Sequence, residues 1–440
     1  FSRIHEIDVS PHVPGKAYVA AVRYRSQDVA PYLYRTTDYG RTWTKIVNGI
    51  PAGHYVRTVR EDLVRPGLLY AGTERGVLVS FDDGARWQSL QLNLPAVQVP
   101  GLVLKGDDVI IATHGRSYYV LDNVTPLRQA TAGLAAAEAH PYRPATAVRT
   151  LSRPAENYER TRAFLPEIDY VLRQPADTIT LEILDADGRV IRTFASKRPN
   201  TTRPDTLRRR PDSLSIAAGH HRFRWDMRYP GPRDFKGLIF WGANTQGPLA
   251  PPGRYQARLT VHGQSFTEPF EIVKDPRLTD VAQADFDAQF RLSSEITTRV
   301  DDAHRAVIQV RSVREQVDDR LKKSNDRTLA TLAARFRTGI GAVEEEVYQV
   351  RMQARQDPLN FPIKLNNQIA ALKGVVESAD ARPTDQAVEA FQFLSGELTA
   401  RLKQLQVLFT EDLSQLNEQL RRLGLEPIVV PDRQAPPATT

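Results

Sequence analysis

The octapeptide Thr36-Thr37-Asp38-Tyr39-Gly40-Arg41-Thr42-Trp43 constrains the fold of this chain more than any other stretch. It fits Ser/Thr-x-Asp-x-Gly-x-Thr-Trp, the Asp-box, and a second copy runs from Ser80 through Asp82 and Gly84 to Trp87. The pattern has a mechanical basis. Asp accepts hydrogen bonds from the N–H groups of a tight turn, Gly takes the left-handed conformation, and Trp is expected to pack under the turn as a plug. Such a turn braces a fold and performs no chemistry, so it points to an architecture and leaves activity open.

The repeat extends beyond the box. Ile7-Asp8-Val9-Ser10 and Pro14-Gly15-Lys16-Ala17-Tyr18-Val19 align with Val59-Arg60-Glu61-Asp62 and Pro66-Gly67-Leu68-Leu69-Tyr70-Ala71. Asp38, Asp82 and Asp122 recur at roughly 40–45 residues, the length of a four-stranded blade. In the second repeat, strands are expected at Tyr55–Glu61, Leu68–Thr73, Val77–Ser80 and Trp87–Leu92. The third box has decayed to Asn123-Val124-Thr125-Pro126, which cannot form the Gly turn. Residues 1–127 therefore read as the last three blades of an Asp-box β-propeller. Three blades do not close a ring and leave strand edges unpaired. An upstream segment or a second chain is expected to complete it. The opening Phe1-Ser2-Arg3, with neither an initiator Met nor a signal peptide, reads as the tail of a longer precursor.

Blade geometry sorts the loops onto two ends. Asp-box turns share one end with the Pro-Gly turns. The other displays Arg23, Arg25, Gln27, His54, Glu74-Arg75-Gly76 and His114-Gly115-Arg116, the expected ligand-facing set. Arg75 and Arg116 come from adjacent blades and suit a joint grip on a carboxylate or phosphate. The alternative is that these Arg and His residues pair with neighbouring backbone and carboxylates.

Residues 128–146, Ala-rich and then Pro-rich, read as a linker. Residues 147–275 alternate like strands, with Asp185-Ala186-Asp187-Gly188 as a hairpin turn, and suggest an immunoglobulin- or fibronectin-like β-sandwich. Trp225-Asp226-Met227-Arg228 reads as a core plug and a salt-bridged turn. From 276 to 426 the period becomes helical. Val300, Val307, Val310 and Val317 hold one apolar stripe, Leu329, Phe336, Ile340 and Val347 a second, and Phe391, Leu398, Leu405, Leu416 and Leu423 a third. An antiparallel helical bundle is expected, followed by a Pro-rich mobile tail over 427–440.

A chain of 440 residues with no cysteine has no disulfide, thiolate metal site or Cys nucleophile. No apolar run reaches the roughly 20 residues of a membrane helix. The charge of +7 is modest, so nucleic acid is not an expected partner. No Glu-x-x-His pair and no Gly-x-Ser-x-Gly occurs, and neither a metal nor a cofactor is expected.

Together these features resemble large bacterial sortilin-like, neuraminidase-repeat propeller proteins, often labelled glycosyl hydrolases. The likeness rests on the blade order, on Ala112-Thr113-His114-Gly115-Arg116 and on Trp225-Asp226-Met227-Arg228-Tyr229-Pro230-Gly231. It rests also on Ala250-Pro251-Pro252-Gly253-Arg254-Tyr255, Asp357-Pro358-Leu359-Asn360-Phe361-Pro362 and Ala381-Arg382-Pro383-Thr384. The resemblance implies export to the periplasm or beyond the cell. A non-catalytic interaction protein, presenting a propeller face and a helical arm to a protein or glycan, needs only what is visible. A glycoside hydrolase needs paired carboxylates, and Glu74 alone is a face carboxylate with Arg neighbours. A sortilin-like peptide-binding module is the third reading.

Overall fold

The computed structural model describes residues 2–131, 133–134, 137–150, 165–196 and 214–431. The basic run from Lys197 to Arg210 and the tail beyond Pro431 lie outside the described residues. The protein is mixed β and α, with several antiparallel sheets and a C-terminal helical segment. It divides into two compact units, Phe1–Ala137 and Glu138–Thr440.

The first unit is built from three successive antiparallel sheets. β1 (Arg3–Val9), β2 (Ala17–Arg23), β3 (Asp28–Thr36) and β4 (Thr44–Lys45) pair in chain order. So do β5 (Val56–Glu61), β6 (Leu69–Thr73), β7 (Gly76–Ser80) and β8 (Gln88–Ser89). The third sheet holds β9 (Gly101–Lys105), β10 (Asp108–Ala112) and β11 (Tyr118–Leu121), followed by the short helix α1 (Thr125–Gln129). β8 is shorter than its sequence suggests, because Leu92 turns to φ 44° and leaves the ladder.

Side chains alternate across a strand, so the unbroken apolar run Leu68-Leu69-Tyr70-Ala71 must be buried on both faces. It is. Leu69, Ala71, Leu78 and Trp87 pack against Tyr18, Ala20 and Leu33 of the first sheet. Leu68, Tyr70, Val77 and Val79 pack against Leu102, Val109 and Ile111 of the third. The middle sheet is thus sandwiched, whereas the far faces are not. Ile4, Ile7 and Val9 on the first sheet, and Val103, Tyr118 and Val120 on the third, are 51–74% exposed.

Two Asp turns brace this stack. Asp38 Oδ1 accepts from the Thr36 hydroxyl at 2.8 Å and the Thr42 N–H at 2.9 Å, and its Oδ2 accepts from the Thr42 hydroxyl at 2.6 Å. Those bonds hold its carboxyl down at about 2. Asp82 repeats the geometry with Ser80 at 2.8 Å and the Arg86 N–H at 2.9 Å, and both turns use a glycine at φ 85°. Each turn docks on the preceding Pro-Gly turn, through Tyr39 N–H to Gly15 O at 3.0 Å and Asp83 N–H to Gly67 O at 2.9 Å. Asp83 then reaches the first sheet, meeting Lys16 and Arg35 each at 2.8 Å and accepting from the Tyr18 hydroxyl. Arg128 does the same across the other gap, pairing with Asp62 of the second sheet at 2.9 Å and with Asp107 of the third.

The two tryptophans differ, which corrects the expectation that both are plugs. Trp87 is 2% exposed, fills the space between the first and second sheets, and donates from Nε1 to Ile46 O at 2.9 Å. Trp43 is 44% exposed and bonds only its own turn, at Gly40 O, 3.1 Å. It holds the equivalent place on the first sheet, whose outer face has no sheet against it among the described residues.

In the second unit, β12 (Ala139–Pro141), β14 (Glu167–Leu172) and β17 (Gly219–Arg224) form one sheet. β13 (Ala147–Arg149), β15 (Ile179–Leu184), β16 (Val190–Ala195), β18 (Gly253–Val261) and β19 (Gln264–Lys274) form another, with β13 parallel to β19. They share one core around Tyr170, Leu181, Phe223, Leu259 and the fully buried Trp225. Five helices follow: α2 (Gln283–Lys322), α3 (Arg327–Val347), α4 (Leu365–Val376), α5 (Asp385–Thr410) and α6 (Asp412–Arg422). Their stripes meet at Val307, Val310, Phe336, Ile340, Leu398 and Leu416. The third stripe breaks between α5 and α6, where the Thr410 hydroxyl bonds back to Gln406 O at 3.0 Å and competes with the helix ladder. Arg149 of β13, 1% exposed, joins the strands to the helices. Its guanidinium meets Asp380 at 2.8 Å, Ala250 O at 3.0 Å and Gln289 of α2, and lies 4.9 Å over the Phe286 ring.

Truncation of the tryptophans checks their different burial. Trp87→Ala is expected to cost about 3–5 kcal/mol in chemical denaturation, as for a large core truncation, and Trp43→Ala about 1 kcal/mol or less, as for a side chain still half in water.

Candidate functional site

At the end of the first unit opposite the Asp turns, the connections of all three sheets converge. β2 leaves through a single turn at Tyr24–Ser26, closed by Gln27 at φ 59°. β6 and β7 are joined through Glu74 and Arg75 into Gly76, whose φ of 134° and contact with the Gln91 side chain leave no room for a Cβ. The Thr73 hydroxyl fixes this turn, donating to Gly76 O at 3.0 Å and accepting from the Arg75 N–H at 3.2 Å.

These turns bring an aromatic and charged cluster together. The Tyr24 and Tyr55 rings stack with centroids 5.3 Å apart, and the Arg57 guanidinium lies 5.3 and 5.1 Å from them. Arg57 donates to the Tyr55 hydroxyl at 3.1 Å and to Glu74 at 3.3 Å. Gln98, on the way to the third sheet, donates to the same Glu74 oxygen, and its own carbonyl accepts from the His114 N–H at 2.9 Å. Burial pushes the Glu74 carboxyl up. Bonds from Gln98 and Tyr55, with the Arg57 charge, outweigh that and hold it below the usual carboxylate range. His54 is lowered by burial and then by the Arg75 charge, and His5 by burial and then by Arg57. Both therefore tend to stay neutral near pH 7.

The residues singled out from sequence divide into two groups. His54, Glu74 and Arg75 lie around this cluster, and Arg25 bonds the Tyr24 hydroxyl and lowers its pKa. Arg23 is engaged elsewhere, pairing with Asp28 at 3.2 Å and lying 5.7 Å over the Tyr32 ring. His114 and Arg116 ride an exposed turn closed by Thr113 N–H to Ser117 O at 3.0 Å. Sequence reasoning missed Tyr24, Tyr55, Arg57 and Gln98. Tyr55 precedes β5 and Arg57 sits where its register shifts, so simple strand alternation did not reveal the pair.

The cluster's carboxylate, Glu74, faces an arginine, Arg57. Among the described residues, no three His, Asp or Glu side chains are placed to hold a metal ion, and no helix is long and apolar enough to cross a membrane.

No family model and no curated protein matches the chain. Solved structures show partial likeness. One is YCF48 bound to D1 peptide, at 13% identity over 40% of this chain and 49% of that one, with a TM-score of 0.22. Another is the Niastella koreensis GH74 enzyme, at 11% identity over 61% and 46%, TM-score 0.22. A third is an ancestral GH74 enzyme, at 10% identity over 60% and 31%, TM-score 0.22. The chain spans less than half of each of these structures, and overlap this slight carries no assignment.

The placement of Arg75 can be checked by histidine NMR titration. In the native chain His54 is expected to titrate below its ordinary 6.5, and in Arg75→Ala to move back toward it. An unchanged midpoint would place Arg75 away from the ring.

Proposed function

We propose that the first unit is the closing part of an Asp-box β-propeller, and that the protein is a non-catalytic, exported interaction protein. In this reading the face carrying Tyr24, Tyr55, Arg57 and Glu74 docks an extended acidic protein segment, and the helices over 276–426 serve as an arm for a further contact. One observation carries it. The face offers stacked rings and outward cations, while Glu74, the carboxylate among its described residues, is neutralised by Arg57 at 3.3 Å, where glycoside hydrolysis needs a carboxylate pair. The exposed Arg25 and Arg75 beside it favour an acidic partner. The apolar far faces of the first and third sheets support the completion of the stack by further blades, from an upstream segment or a second chain.

A second reading, a glycan-binding face, draws on the stacked Tyr24 and Tyr55 rings, which also suit the C–H face of a sugar. Screening the full chain on peptide and glycan arrays separates the two. Binding of acidic peptides, weakened about 10-fold or more by Tyr24→Ala and by Arg75→Ala with melting unchanged, is the expected result. Capture of glycans alone would favour the second reading, and affinity unaltered in both variants would remove this face from the binding site.

A further inference from the structure

The second unit contains a cleft of about 850 Å³ where the loop after β17 meets the segment 238–247. We propose that it is a binding site for a neutral oligosaccharide, a site independent of the reading given to the first unit. The volume falls in the range of about 300–1,000 Å³ usual for ligand sites. Three properties set the ligand class: fixed walls, balanced charge and a mixed lining.

The walls are held from behind. Gly231 and Gly247 cross so closely that a Cβ on either would stand 1.9 Å from Thr245 O or 1.8 Å from Tyr229 O. Arg228 pins the loop at Gly247 O, 2.9 Å, and is itself paired with Glu377 at 2.5 Å. Glu377 also accepts from the Leu249 N–H at 3.2 Å, and the buried Lys373 ammonium donates to Gln246 O. On the other rim, Asn367 of α4 bonds both the N–H and the carbonyl of Trp241 at 2.8 Å. A cleft this fixed loses little conformational freedom on binding.

Its charges are mixed. Arg192, Arg228 and Arg355 line it together with Asp226 and Asp234, and Arg228 is already neutralised by Glu377 behind the wall. A strongly anionic ligand meets the two carboxylates, and a cation meets the arginines. A hydroxyl both donates and accepts, so a polyol suits both. Arg192 lies 3.3 Å from Asp226, and its Nε–H is buried without a hydrogen-bond partner. Leu238, Ile239 and Phe240 supply the apolar strip against which the C–H face of a sugar ring packs.

The test is calorimetric titration of the full chain with neutral gluco-, galacto-, manno- and xylo-oligosaccharides, beside an oligogalacturonate as the acidic counterpart. At least one neutral sugar is expected to bind with a Kd on the order of 0.1–5 mM, and the acidic one at least about 10-fold more weakly. Arg192→Met keeps an unbranched apolar stem but removes the guanidinium, which lies 4.6 Å over the Phe194 ring, and Arg355→Ala alters an exposed loop residue. Each is expected to weaken binding about 10-fold with the fold retained by circular dichroism. The proposal is overturned if no neutral sugar gives heat at about 20 mM, if only the acidic one binds, or if both cleft variants bind as the native chain does.

Discussion

Where the sheets of the first unit are locked together decides where they are free to bind. The locks sit at one end. The Asp82 carboxylate closes its turn, and the next residue, Asp83, reaches the first sheet through Lys16, Arg35 and Tyr18. Arg128 spans the other gap to Asp62 and Asp107. A charge-assisted bond between partly buried groups is roughly twice as strong as a neutral one, and these bonds span sheets rather than strands. The opposite end carries no comparable obligation. Its turns are short, polar and aromatic, and what joins them is the Arg57–Glu74–Gln98 chain lying in the proposed binding face. A rigid end supporting a recognition end is the division of labour expected of loops on a scaffold.

The second unit solves a different problem. Its strands and helices each have an apolar core, and Arg149 crosses between them, buried and engaged on every nitrogen. Gln289 continues that network by donating to Val376 O and Ala379 O at 2.8 and 2.6 Å. A buried ion pair adds little net stability over an apolar pair of the same shape, but losing one partner is costly. Its effect is to fix one relative placement of strands and helices. The same junction carries the rigid cleft, since Glu377 and Lys373 lie on the helical side of it and Arg228 on the strand side.

Much of the fold was legible because its signals are local. The Ser/Thr-x-Asp-x-Gly turns, the two-faced run Leu68–Ala71 and the helical stripes all follow from short spacing rules. The contribution of Trp43 was not, because burial depends on what lies beyond the first sheet, and the octapeptide carries no record of that. His54, Glu74 and Arg75 were visible as loop residues at the end opposite the Asp turns. Their organiser, Arg57, sits inside a strand, where an arginine reads as a solvated edge residue until Tyr24 arrives from a neighbouring sheet. Gln98 was hidden for the same reason, since its bond to Glu74 spans 24 positions. The Trp225-Asp226-Met227-Arg228 segment was read correctly as plug and salt-bridged turn for Trp225, yet Arg228 also braces a cleft whose far wall comes from Glu377.

The central claim is that the loop end of the first unit holds a partner without changing it. The most direct measurement is proton NMR of a captured ligand kept with a stoichiometric amount of the full chain over a day. The account predicts broadened or shifted ligand signals and no new species. Accumulation of reducing-end or peptide-fragment signals, abolished by Glu74→Gln, would contradict it.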